Sequence, residues 1–545
     1  DLVLPSSVGR CISNLNNFTN PEKLMSSNFS DSHVIRKPAV SSNGGIVASQ
    51  HKLASQIGAQ VLAEGGNAMD AAVTTAFAVS VLEPWMSGIG GGGHLMVHDA
   101  PNNTTHALDY GMISPLELDP TGYPLSGSGL SSDLFPWPEV VDDRNVLGPT
   151  AIAVPGQVDG MRVLLERFGT RSWEEVLAPA IALAEEGLQI DWFAALVIGT
   201  ATPILNRYPT SREIFLDDGF APIPPWSPTT TLRKPFPKLA KTLRQLAKFG
   251  PREFYEGDLA RSVVADIRKA GGCISLEDLR NYEAQLLEPL AVDYRGTSIR
   301  VNPELNAGPT LAEALAQLTQ RLTPEAAPAG HTFTTLTEVL QEVYADRLER
   351  MGDVEGGRSG PSCTTHLCVV DKDGSMVSLT QTLLSIFGSK FVLPESGILM
   401  NNGMMWFNPE PGHPNSMAPG KRALANTCPA IGINERGGFA VGASGGRKIM
   451  PAVLQLVSFL LDSGMTLDEA IHHPRIDVSG GEVVVADRKL PETAQQALAE
   501  KYSLHPTDRV AFPLPFACPS LVQRVDGMNH GGTETSSPWA DAVVQ

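Results

Sequence analysis

Cysteine is scarce in this chain. Six cysteines in 545 residues (Cys11, Cys273, Cys363, Cys368, Cys428, Cys518) do not make a disulfide scaffold. No pair has CxxC or zinc-like spacing, so neither a metal nor another cofactor is expected, and the redox compartment stays open. Long apolar runs are also missing. The best candidate for a membrane span, residues 71–82, is short and follows Asp70, so no transmembrane helix is expected. Positive charge is in deficit: 41 Lys+Arg against 59 Asp+Glu give a net charge of −18. A balance this acidic excludes general attraction to nucleic acid or anionic membrane. What is present is a core-forming composition, 42% hydrophobic and 18% charged, with 51 glycines and 42 prolines for turns. The length allows several domains or one large α/β unit. Sequons at Asn17, Asn28, Asn102 and Asn103 are weak signs of secretion, and a chain beginning at Asp1 is compatible with a removed leader. Localisation stays undecided between secreted and cytoplasmic.

Residues 1–43 are polar, rich in Ser and Asn, and read as an extended arm. A strand is expected over 45–49 and a helix over 53–62, stopped by Gly65-Gly66. Asn67 is placed to cap a helix that is apolar on nearly every side and therefore buried. Residues 157–350 carry helical spacing at 161–168, 173–186, 239–249, 258–270, 276–282 and 311–322, with proline-rich loops at 203–237. The glycine-rich stretch 354–362 reads as an exposed loop. After it the pattern turns to strands, at 365–370, 376–382, 397–400, 430–433 and 440–441, followed by helices at 451–462 and 466–472. This mixture fits α/β/α layering around a mainly antiparallel sheet system.

Two stretches invite chemistry. Gly88 to Gly93 lacks the Gly-Lys-Ser/Thr ending of a phosphate loop and leads from helix to strand, so it reads as a close approach of backbones. Cys363-Thr364-Thr365-His366-Leu367 follows the exposed loop and opens a strand. Thr364 is either a β-branched residue starting that strand, or a nucleophile exposed by cleavage before it. In the second case the new α-amino group, with a pKa near 8, acts as base on its own side chain. His366 and His94 read as strand-face residues, Asp371 to Gly374 as a turn, and His472-His473 as a helix end.

The chain resembles the γ-glutamyltransferase family of self-cleaving N-terminal nucleophile hydrolases. The matching stretches include residues 45–50, 63–72, 83–84 with 87–93, 153–156, 177–187, 254–257, 345–347, 364–388, 397–402, 418–422 and 442–447, in the family's order. The resemblance implies a four-layer αββα sandwich, of mixed α/β (α+β) class, and cleavage between Cys363 and Thr364. Residues 44–363 then form a large fragment and 364–545 a small one, held together as a heterodimer within one catalytic domain. It implies Thr364 as nucleophile, Thr382 as its supporting hydroxyl, and Gly445 and Gly446 as backbone donors to the oxyanion. The substrate-reading positions depart from the family's glutamyl enzymes. Gly111 stands where they carry a carboxylate-binding arginine, Ala425 and Asn426 where they carry a serine pair, and Leu384, Gly403 and Trp406 where they meet the α-amino group. The expectation is an acylase-like enzyme acting on a small-molecule amide with a non-glutamyl acyl group. The alternatives are a true γ-glutamyl enzyme acting on glutathione and an unprocessed binding relative.

Overall fold

The computed structural model describes residues 36–131, 135, 137–227, 229–351, 362–479 and 481–545. The expected loop at 354–362, save its last residue, and most of the expected arm therefore lie outside the described residues. Asp1–Arg36 and Lys37–Gln545 are two separate units, and the sheets and helices belong to the second.

Fourteen strands build two seven-stranded sheets. In chain order they are β1 (Val40–Ser42), β2 (Ile46–Ser49), β3 (Gly92–Asp99), β4 (Thr104–Tyr110), β5 (Gln285–Leu287), β6 (Leu290–Tyr294), β7 (Thr297–Val301), β8 (Ser362–Val370), β9 (Met376–Ser385), β10 (Ala430–Asn434), β11 (Gly437–Ser444), β12 (Cys518–Val525), β13 (Met528–Thr533) and β14 (Asp541–Val544). The first sheet runs β14-β2-β8-β9-β3-β4-β5, the second β1-β13-β12-β11-β10-β7-β6. Every pairing in both is antiparallel. The main helices are α1 (Lys52–Ala63), α2 (Ala68–Leu82), α3 (Gln157–Phe168), α4 (Trp173–Glu186), α5 (Gly308–Arg321), α6 (Gly330–Met351) and α7 (Ile449–Leu461).

The layers follow from which faces are apolar. Helix α2 packs on β8 and β9, and all fifteen of its residues are buried. Asn67 caps it in a reciprocal box with Asp70, as the sequence suggests. Helix α7, also almost wholly buried, covers β11 of the second sheet, with α5 against β6 and β7. Between the sheets lies a thin core containing Ile46, Ala48, Met96, Val370, Ile431, Ala440 and Val522. The result is the expected αββα sandwich.

Several elements differ from the sequence reading. The proline-rich stretch expected as loop contains a helix ending at Leu205 (Trp192–Leu205) and another at Pro209–Phe215. Pro203 falls in the last turn of the first, and Pro209 sits at the first position of the second, where its missing N–H is harmless. Residues 397–400 make isolated bridges rather than a strand. Val40–Ser42, at the end of the expected arm, form an edge strand on β13.

Candidate active site

Strand β8 is third of seven in its sheet and carries Thr364 at its start. The register slips between Cys363 and Thr365, so Thr364 sits at an irregularity of the kind that re-aims a side chain. Its Oγ lies 2.5 Å from the carbonyl oxygen of Cys363 and 3.3 Å from Thr382 Oγ. Thr382 donates to that same carbonyl oxygen at 2.5 Å and accepts the N–H of Leu384 at 2.8 Å. Two hydroxyls therefore converge on the peptide group preceding Thr364. Cys363 Sγ lies 2.6 and 2.7 Å from the carbonyl oxygens of Trp85 and Met86, which fixes that residue from the other side.

Strand alternation places Thr364 and Thr382 on one face. His366 and Cys368 on β8, and Ser378 and Thr380 on β9, direct their polar atoms toward the second sheet: Ser378 Oγ donates to Val441 O at 2.8 Å, and Cys368 Sγ reaches Ser520 O at 3.3 Å. His366 Nδ1 lies 2.8 Å from Thr380 Oγ. Full burial holds this imidazole down to about 3, so it is neutral at working pH. The ring lies where a Cβ on Gly442 would stand, so glycine there admits it. His366 is thus a wedge between the sheets, in agreement with its reading as a strand-face residue.

Gly445 and Gly446 follow β11 and open a turn, Gly446–Lys448, that leads into α7 and lies against β8. Their φ values are +137° and +60°, which glycine adopts without strain. A Cβ on Gly445 would stand 2.9 Å from Ala517 Cα. Backbone N–H groups at the start of a helix carry partial positive charge, so this turn is chemically suited to face an oxyanion.

The residues expected to read the substrate gather around one apolar cluster. Leu384, Trp406 and Ala425 are buried in it together with Met112, Met404, Met405, Phe407, Met417, Phe135 and Trp137. Met112 follows Gly111, and its carbonyl takes the N–H of Ala423 at 3.2 Å, which brings the 111 and 425 segments side by side. Gly403 fits beneath: a Cβ there would lie 2.8 Å from both Ala153 Cβ and Met112 Sδ. Leu384 holds φ +85°, a left-handed conformation rare for leucine, opposite Cys363 in the sheet register. Asn426 lies at the edge of this group. Its Oδ1 accepts from Arg347 at 3.2 Å, which turns the amide so that Nδ2 remains a buried donor with no partner among the described residues. Trp406 Nε1 is a second such buried donor.

Residues given no role from sequence shape this region. Arg347, fully buried on α6, also donates to the carbonyls of Ala425 at 2.8 Å and Asn306 at 2.9 Å. Asp109 accepts from Gly111 N–H at 2.7 Å and from Arg422 at 3.0 Å, with His94 Nε2 at 3.4 Å. Burial lowers the His94 pKa, opposed by Asp109, so the ring is neutral and bonds Thr427 Oγ through Nδ1 at 2.8 Å. Arginines inside matching stretches were the only signal available. Arg447 stands 5.3 Å over the Tyr344 ring. Among the described residues, no three His, Cys, Asp or Glu side chains cluster to hold a metal ion, and no helix is long and apolar enough to cross a membrane.

Comparison with known proteins agrees with this fold. A family model described as gamma-glutamyltranspeptidase matches residues 54–363 and 358–510. An acylase ACY 1 proenzyme from Pseudomonas sp. (strain SE83) is 34% identical over 502 residues, covering 85% of this chain and 87% of that protein. A glutathione hydrolase proenzyme from Bacillus subtilis (strain 168) is 31% identical over 486 residues, covering 79% and 80%. Among solved structures, a cephalosporin acylase from Bacillus halodurans superposes with a TM-score of 0.82 at 25% identity, covering 96% of this chain and 99% of that one.

Proposed function

Because the chain belongs to the γ-glutamyltranspeptidase family of enzymes, we propose that it cuts its own Cys363–Thr364 bond and then acts as an N-terminal threonine acylase on small amides whose acyl group lacks an amino-acid head. The observation that carries this reading is the pair of hydroxyls on the Cys363 carbonyl, Thr364 Oγ and Thr382 Oγ, each at 2.5 Å. In maturation Thr364 Oγ attacks the Cys363 carbonyl carbon while Thr382 holds its oxygen. The C–N bond breaks, the hydroxyl proton passes to the Thr364 nitrogen, and an ester joins Cys363 to Thr364 Oγ. Water then hydrolyses the ester, leaving the Cys363 carboxylate and a free hydroxyl and α-amine on Thr364.

In turnover the same Oγ attacks the substrate carbonyl, and the α-amine takes its proton and hands it to the departing amine. The acyl group rests on Thr364 as an ester until water or an acceptor amine removes it. The N–H groups of Gly445 and Gly446 serve the oxyanion at each stage. The mature enzyme is a heterodimer of its own two fragments.

Specificity rests on what these residues offer. An α-ammonium needs acceptors, and Leu384, Gly403 and Trp406 supply none from their side chains. An α-carboxylate needs paired donors, which Gly111 cannot give. Asn426 Nδ2 and Trp406 Nε1 are donors in apolar surroundings, suited to an acyl chain bearing an oxygen. Three lost head-group contacts, at about 1.5 kcal/mol each, amount to roughly a thousandfold in kcat/KM. Steady-state kinetics on matched γ-glutamyl and glutaryl anilides test this. The glutaryl compound is expected to be the better substrate by that order, and a preference for the glutamyl compound would return the chain to the glutathione-hydrolase reading.

A further inference from the structure

Gln50 lies just beyond β2 and takes no part in the chemistry proposed for Thr364. It is buried, and its two side-chain atoms have different fates. Nε2 donates to Ser444 Oγ, and lies 3.4 Å from Cys518 O. These are residues of β11 and β12, one directly before the Gly445-Gly446 turn and the other opposite it in register. Among the described residues, Oε1 has no donor. A buried acceptor left unpaired costs stability, and such an atom calls for an explanation.

The position supplies one. Strand β2 pairs antiparallel with β8, Ser49 opposite Leu367. Continuing that register sets Gln50 beside His366, two residues from Thr364. The Gln50 side chain points between the sheets, as its Ser444 contact shows, and His366 and Thr382 mark the same face as the nucleophile's. The uncut chain has one thing missing on this face: the α-amine of Thr364, which is still an amide.

We infer that Gln50 is a positioning residue for the mature enzyme, its Oε1 accepting a hydrogen bond from the α-amine released at Thr364 while its Nε2 holds the Ser444–Gly446 oxyanion turn. This rests on the reading of Thr364 as the N-terminal nucleophile. One side chain then sets base and oxyanion donors at a common spacing. The contact forms only after cleavage, so the cut itself does not need it. As an acceptor, Gln50 favours the ammonium form and raises the amine's pKa. Removing the acceptor lowers that pKa, and a carboxylate in its place raises it.

Other titrating groups face this region. His366 is held near 3 and His51 near 4 by burial, and burial pushes the Cys518 thiol up to about 12 and raises Cys368 as well. Lys37, close to Cys518, and Lys448 are lowered by burial, and Arg447 lies on the oxyanion turn. Glu83, raised to about 8, titrates in the range of the amine, so the measurement is made in a Glu83→Gln background.

The experiment compares wild type, Gln50→Leu and Gln50→Glu by mass analysis for the cut and by kcat/KM against pH on one amide substrate. All three are expected to be cut. The acid limb of the profile should move down by about half a pH unit or more in the Leu variant and up by a similar amount in the Glu variant. The Leu variant should lose about 10-fold or more in kcat with KM nearly unchanged. Acid limbs that coincide, or that move the same way in both variants, overturn the inference while the Thr364 reading stands. Failure of the Leu variant to be cut also overturns it, because a contact made by the released amine cannot be required to release it. If wild type itself is cut elsewhere or not at all, the Thr364 reading fails first.

Discussion

Thr382 has one proton and two lone pairs, and the structure uses both kinds. The hydroxyl donates to the Cys363 carbonyl and accepts the Leu384 N–H. With its acceptor role filled by the backbone, the proton is directed at the peptide group under attack. Replacing Thr382 by Ala should therefore slow both the cut and turnover, by about 10²–10³ if it acts as an oxyanion donor. Thr382→Ser keeps the hydroxyl and should restore most of each rate. Time courses on denaturing gels and single-substrate kinetics read the two steps separately, and an Ala variant with wild-type rates in both would remove Thr382 from the mechanism. The role proposed for Thr364 was one of two readings that the loop-to-strand pattern left open, and the resemblance chose between them, since a threonine opening a strand is ordinary by itself. The Gln50–Ser444 contact spans 394 residues of sequence, and the inward turn of Asn426 depends on Arg347 from helix α6. Neither has a local pattern to betray it.

Helix α2 shows what an element can do with a residue that does not suit its surroundings. It ends at Leu82, and the buried Glu83 directly follows. Burial, with Asp191 adding to it, raises the Glu83 carboxyl from an ordinary 4.5 to about 8, and its Oε2 has no hydrogen-bond partner among the described residues. The folded protein thus keeps a proton that the unfolded chain releases above pH 4.5. Stability from this group is fully present below that pH and is lost progressively as pH rises to about 8, on the order of 3 kcal/mol by pH 7. Glu83→Gln removes the titration. Its Tm advantage over wild type should be small at pH 4.5, widen toward pH 8 and then level off; a gap that is flat across that range would mean the carboxyl is ionised in the fold. Helix α4 leaves a periodic trace and α2 an apolar run behind a capping asparagine, so both were legible from sequence, and α4 begins and ends where its spacing indicates. Strands such as β13, Met-Asn-His-Gly-Gly-Thr, carry no alternation. They exist because β12 and β1 flank them, which is tertiary information.

The two sheets interleave the fragments that a cut before Thr364 would create. In the first sheet β8, with the cut after its second residue, lies between β2 of the large fragment and β9 of the small one, and β9 in turn pairs with β3 of the large fragment. At the sheet's edge β14 of the small fragment pairs with β2. In the second sheet β10 to β13 of the small fragment stand between β1 on one side and β7 and β6 on the other, all three from the large one. Separating the fragments breaks five strand pairings and opens the core between the sheets, so no partly assembled state keeps either sheet whole. The mature protein, fragments of 363 and 182 residues, should therefore elute as one species of the uncut mass, 58.1 kDa. Denaturant should release the two fragments together, in the same transition that abolishes helix signal and activity. Gel filtration across a urea series, with denaturing gels of each fraction, reads this directly. Release of the small fragment at a urea concentration where helix content is still native would show that the strands do not interlock, and that the cut divides the molecule into units that fold alone.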